Sequence, residues 1–113
     1  MKIVDKEIHI EDLKEMASQM YGNLVKAVVD VERGIFVIDG QSHSDEEAYL
    51  LDLGSKQENL WGINIYPEAS MESRIEFDSM INVRPSQGNN SRGVEDPKIQ
   101  EKIFAIVNSK IIE

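Results

Sequence analysis

Leu24-Val25-Lys26-Ala27-Val28-Val29-Asp30-Val31-Glu32-Arg33-Gly34-Ile35-Phe36-Val37-Ile38-Asp39 consists of two runs rich in β-branched residues on either side of a short turn. Such runs fit a pleated surface better than a helix. Leu24 to Val31 and Ile35 to Asp39 therefore read as antiparallel strands. Glu32-Arg33-Gly34 joins them, with the glycine suited to the left-handed position of a bulged hairpin turn. A three-residue connection sets Val31 opposite Ile35, Val29 opposite Val37 and Ala27 opposite Asp39, with Asp30 on the other face beside Phe36 and Ile38. Asp30 and Asp39 then lie on opposite faces, which argues against an aspartate pair around a metal. Val28, Phe36 and Ile38 are apolar on the face away from Val29 and Val37, so both faces of this hairpin want cover.

Working outward, Ile10, Leu13, Met16, Ala17 and Met20 recur at helical spacing, with Glu11 and Asp12 at the positive end of the dipole and Gly22 as a stop. Ser44-Asp45-Glu46-Glu47 has the form of a capping box and opens a second helix that runs through Leu53 and closes at Gly54. Trp61 to Tyr66 and Ile75 to Val83 alternate as two further strands, with Trp61 in phase with Ile63 and Ile65 and hence in the core. Asp96-Pro97 caps and starts a last helix, whose apolar stripe is Ile99, Ile103, Ile106, Val107 and Ile111. The order is α-β-β-α-β-β-α. The expected fold is a single α+β domain over residues 1–113, two-layered, with a four-stranded largely antiparallel sheet and helices mainly on one face.

Composition excludes several classes. The 113 residues contain no cysteine, which removes disulfides and thiolate chemistry and fits a reducing compartment. Charge appears too early for a signal peptide, and no apolar run approaches a membrane span, so a soluble cytoplasmic protein is expected. The net charge is −9, with 13 acidic and 6 basic side chains in residues 1 to 60 alone. That field disfavours nucleic acid and anionic membranes as partners.

Residues Arg84 to Asp96, Arg-Pro-Ser-Gln-Gly-Asn-Asn-Ser-Arg-Gly-Val-Glu-Asp, stand apart. Arg84 to Val94 holds two arginines and no carboxylate, and its glycines and amides suit a ligand-gripping loop. Gly88 to Gly93 has the glycine spacing of a Walker phosphate loop, but Val94 and Glu95 stand where that motif needs lysine and a hydroxyl, so it is not one. The remaining reading is an anion nest formed by Arg84, Gln87, Gly88, Asn89, Asn90 and Arg92. Against it stands an architectural reading, in which the amides satisfy turn backbone and the arginines pair with Glu95 or Glu76.

The preceding strand supplies a polar face of Glu76, Asp78, Met80, Asn82 and Arg84, which Asn64 and Tyr66 join. Glu76 and Asp78 are the candidate general base or cation ligands; the competing reading is a solvated face. His9 and His43 each stand alone at a helix entry. Consecutive helical residues diverge, so His43 with Asp45, Glu46 and Glu47 is not read as a metal site. No motif implies a cofactor, and none is assigned.

Val25 to Val31, Leu60-Trp61-Gly62-Ile63-Asn64, Glu76 to Asn82 and Arg84-Pro85-Ser86-Gln87-Gly88-Asn89 resemble a family of small prokaryotic proteins catalogued only as a domain of unknown function. The likeness runs from the first helix to Pro97. It implies a prokaryotic cytosolic single-domain protein and carries no activity or site residue with it. Two functional expectations follow from the residues. One is binding, with or without catalysis, of a polar anionic small molecule at the Arg84–Gly93 loop. The other is a non-enzymatic module in which a sheet face or edge makes a homodimer or docks a protein partner.

Overall fold

The computed structural model describes residues 1–113. The elements in chain order are β1 (Lys2–Val4), β2 (Ile8–His9), α1 (Ile10–Gln19), β3 (Val25–Asp30), β4 (Ile35–Ile38), α2 (His43–Asp52), β5 (Leu60–Ile65), β6 (Ile75–Glu76), α3 (Pro97–Lys110) and β7 (Ile111–Ile112). The fold is α+β, as expected, but the sheet has five strands in the order β1-β4-β3-β5-β6 rather than four. Every pairing within it is antiparallel. A separate parallel pair, β2 with β7, ties the chain before α1 to the chain after α3. β1, β2 and β7 are two or three residues long, too short for period-2 alternation to reveal.

The three helices start and stop largely where side-chain chemistry dictates. Gly22 at φ 92° follows α1, and Gly54 at φ 96° follows α2. Asp96 accepts from the Lys98 N–H at 2.9 Å, with Pro97 in the first turn of α3. The cap of α2 differs from the expected Ser44: Ser42 performs it, its hydroxyl accepting from the Asp45 N–H at 3.1 Å. His43 is thereby the first residue of the helix.

The hairpin is right in kind but displaced by one residue. Asp30 faces Ile35, Val29 faces Phe36 and Val28 faces Val37, with Val31 to Gly34 forming a four-residue turn. The Asp30 carboxylate causes this, since one of its oxygens accepts from the N–H groups of both Glu32 and Arg33 at 3.0 Å. The other oxygen accepts from Ser55 at 2.7 Å. Val31 leaves the hairpin and donates to Asn59. Strand parity therefore groups Asp30 with Val28 and Val37, not with Phe36 and Ile38. Asp39 lies past the strand end at φ 69°.

Both sheet faces are covered from within the chain. Val25, Ala27, Val29, Phe36, Ile38, Trp61, Ile63 and Ile65 join Ile10, Leu13 and Ala17 of α1 and Ile103 and Val107 of α3 in the main core. On the other face Val28, Val37 and Leu60 pack with Leu50 of α2. Two helices on one face and one on the other replace the expected two-layer arrangement. Val28, Phe36 and Ile38, whose exposure would have motivated a dimer, are fully buried beneath these helices. Burial of each such side chain stabilises by roughly 1.5–3 kcal/mol.

The expected strand from Ile75 to Val83 stops at Glu76. Beyond it the Ser79 hydroxyl accepts from the Ile81 N–H and begins a single 3-10 turn, Met80–Asn82. Asn82 then takes the place of a strand neighbour. Its Oδ1 accepts from Gly62 N–H at 2.8 Å, and its Nδ2 donates to the Gly62 carbonyl at 3.0 Å and the Arg92 carbonyl at 2.9 Å. One side chain thus completes the β5 edge where β6 is missing. No helix is long and apolar enough to cross a membrane.

Candidate functional site

The α2 face of the sheet divides in two. Val28, Val37 and Leu60 lie under the body of α2, while Lys26, Gly62, Asn64 and Glu76 form a polar strip toward its N-terminus. Gly62 makes the division possible. A Cβ there would lie 2.6 Å from Ser79 Oγ and 3.2 Å from His43 Cγ, so only a glycine lets those two side chains rest on the strand. Above them opens a cleft of about 200 Å³ lined by Lys26, Ser42, His43, Ser44, Ser79, Met80, Ile81 and Arg92.

Its lining holds two cationic side chains, an imidazole and three hydroxyls, and no carboxylate. Lys26 lies 5.0 Å from the Tyr21 ring and makes no ion pair. Arg92 donates through Nε to Asp78 at 2.6 Å, which leaves its two terminal nitrogens free. His43 is buried, and its Nε2 lies 2.7 Å from the Ile63 carbonyl. A carbonyl only accepts, so Nε2 carries the proton and Nδ1 of the neutral ring is a bare lone pair. Burial pushes the His43 pKa down, against the carbonyl contact, so the neutral form is favoured. As residues opening α2, His43 and Ser44 also have backbone N–H groups that no preceding turn can satisfy.

Glu46 lies one turn further along α2, fully buried, its Oε2 accepting from Gly40 N–H at 3.1 Å. Burial pushes its pKa up to about 9, against the opposing pull of the Gly40 N–H and of Lys26. At neutral pH it is a neutral acid and offers Lys26 no counter-charge.

The residues singled out in the sequence separate into three groups. Asn64, Tyr66 and Glu76 do meet: Asn64 Nδ2 donates to Glu76 Oε1 at 2.8 Å, and Tyr66 donates to the same oxygen at 3.0 Å. That bond to Glu76 raises the Tyr66 pKa. Asp78 pairs with Arg92 beside the cleft. Arg84, Gln87, Gly88, Asn89 and Asn90 are instead engaged in holding the loop together. The buried Arg84 guanidinium donates to the Gln57 and Leu60 carbonyls and to Gln87 Oε1, and lies 4.2 Å over the Trp61 ring. Gln87 donates to the Glu58 carbonyl at 3.1 Å. Asn89 Nδ2 serves the carbonyls of Asn82, Ser91 and Gly93 while its Oδ1 accepts from Glu95 N–H. Gly88 supplies a φ of 79°, and the Asn90 N–H donates to Glu95 at 2.9 Å. Of the arginines, only Arg92 reaches the cleft.

A family model described as Protein of unknown function (DUF5674) matches residues 2–110. The chain belongs to that family. No curated protein and no solved structure matches it. The family description assigns no chemistry, so the site rests on its geometry alone.

Sequence reading overlooked Lys26, His43, Ser79 and Gly62 as a group. They come from β3, α2, the segment after β6, and β5, and no spacing rule links them. One local signal was present. Gly62 is a small residue inside the apolar run Leu60–Ile65, and a glycine in a strand interior marks close approach by another group.

Proposed function

We propose that this protein binds a small polar oxyanion in the cleft bounded by Lys26, His43, Ser79 and Arg92. The carrying observation is the lining: two cations, of which Arg92 is paired with Asp78, three hydroxyls and a helix start around about 200 Å³ with no carboxylate among the lining residues, in a chain of net charge −9. An acidic surface turns such a pocket into a local exception that only a ligand of opposite sign exploits. Lys26 and the free nitrogens of Arg92 supply charge; Ser42, Ser44 and Ser79 supply O–H donors; His43 orients the ligand. Relative to the Arg84–Gly93 loop, the reading keeps Arg92 and makes the other loop residues the frame that holds it. Asp78 fixes Arg92 through Nε and so presents its opposite edge.

Thermal-shift titration with phosphate, phosphomonoesters, dicarboxylates and nucleotides tests this. A ligand at a hundredfold excess over its Kd stabilises the native state by about 2.7 kcal/mol. The expected result is stabilisation of the wild type that is lost in both Lys26→Ala and Arg92→Ala. Absence of any stabilising anion, or equal stabilisation of both variants, overturns the proposal.

A further inference from the structure

The His43 ring imposes a condition on the ligand beyond its charge. Its Nε2–H is committed to the Ile63 carbonyl at 2.7 Å, His43 is one of the residues lining the cleft, and Nδ1 has no partner in the protein. Nδ1 is also not among the side-chain atoms sealed from solvent without a partner, a group that includes Trp61 Nε1 and Arg84 Nε. The remaining polar atom of the ring can therefore only accept, whereas the lysine and arginine only donate and the serine hydroxyls can turn either way. An oxyanion with only lone pairs sets oxygen against nitrogen there, whereas one with an O–H makes a hydrogen bond.

We infer that the cleft selects an oxyanion carrying its own O–H, a hydrogen phosphate or a singly ionised phosphomonoester, over one that has none, such as sulfate. This rests on the proposed anion site and names its ligand class. The discrimination works by leaving a desolvated acceptor unpaired when the wrong anion enters, a stronger filter than shape between isosteric ions. The charged groups facing the ring are Lys26 from β3 and Asp78 and Arg92 from the segment after β6. Burial of the ring favours its neutral form, which keeps Nδ1 an acceptor. Glu46 on the same helix holds its proton across the neutral range.

The two sources of the ligand differ in where they lose the required proton. Inorganic phosphate keeps at least one O–H throughout neutral pH. A monoester gives up its last near pH ~6.

Calorimetric titration of the wild-type protein with sodium phosphate, sodium sulfate and methyl phosphate at pH 6, 7 and 8, at constant ionic strength, tests the inference. Phosphate is expected to bind about tenfold or more tightly than sulfate at every pH. Methyl phosphate should match phosphate at pH 6 and fall toward sulfate by pH 8. Long-range proton–nitrogen NMR should show His43 with Nε2 protonated, and its Nδ1 resonance should move with phosphate and not with sulfate. Sulfate binding within threefold of phosphate overturns this inference while leaving the anion site standing. Failure of all three anions to bind also overturns this inference, while the anion site itself falls only if dicarboxylates and nucleotides fail to stabilise the protein as well.

Discussion

Glu46 is a carboxylic acid in a place built for a neutral group. Gly40 packs against its side chain with no room for a Cβ, and Oε1 has no partner. Its pKa rises from 4.5 in the unfolded reference to about 9 in the fold, chiefly through burial. Below pH 4.5 both states hold the proton, so the contribution of Glu46 to stability is fully present there. Between 4.5 and 9 only the folded state holds it, and that contribution drains away by roughly 1.4 kcal/mol per pH unit. Glu46→Gln removes the titration while keeping an oxygen for the Gly40 N–H. The variant and wild type should have nearly equal urea midpoints at pH 5, and the variant should be more stable by up to a few kcal/mol at pH 8. A difference that does not change with pH would show that Glu46 is ionised in the fold. Nothing in the run Ser44 to Glu47 distinguishes this glutamate from its neighbours, because the desolvation comes from the strands below it.

Among the elements, β6 shows most clearly where local reading fails. Ile75 to Val83 alternates like a strand, yet the Ser79 hydroxyl caps a turn and the Asn82 amide replaces the missing ladder. Side-chain competition for backbone groups decides the outcome, and alternation does not register it. Asn82→Ala should cost about 2–4 kcal/mol in unfolding free energy, because it strips three hydrogen bonds and leaves the Gly62 backbone unpaired and buried. Hydrogen exchange at the Gly62 amide should accelerate while the amides on the β3 side of β5 stay protected. Uniform loss of protection across the sheet would contradict a local role. The helices, by contrast, were legible: periodic apolar residues, Asp96-Pro97, Gly22 and Gly54 act within a turn or two of where they stand. The α2 cap slipped from Ser44 to Ser42 because both serines satisfy the same local rule.

Across the whole molecule, the C-terminal end of the chain is fastened to the segment that leads into β6 through Arg74. Its side chain is 1% exposed; Nε donates to Asn108 at 3.0 Å, and Nη1 to Glu113 at 2.8 Å. Together with the β2–β7 pair, this joins α3 to the connection before β6. Removing one partner leaves a buried guanidinium without its counter-charge, a change that typically costs ~3–5 kcal/mol when both partners are buried. Glu113 is largely exposed, so water moderates the loss, and Glu113→Gln should cost about 1–2 kcal/mol. Adding Arg74→Met should then restore part of that stability, since an apolar side chain needs no counter-charge. A double variant less stable than Glu113→Gln alone would show that Arg74 contributes chiefly through Asn108.

The residues by themselves determined the helices, the existence and antiparallel sense of the first hairpin, the α+β class and the acidic balance, all of which follow from neighbours a few positions apart. They also named Arg92 and the Asn64, Tyr66 and Glu76 cluster, which strand parity brings together. The one-residue register set by the Asp30 carboxylate is local as well, although strand alternation does not register it. Tertiary structure decided the rest: the conversion of Arg84 and Asn89 into framework, and the meeting of Lys26, His43, Ser79 and Arg92 over Gly62. Those four come from separate segments of the chain, and the property that unites them, a cleft without carboxylates, exists only once the sheet and α2 have packed.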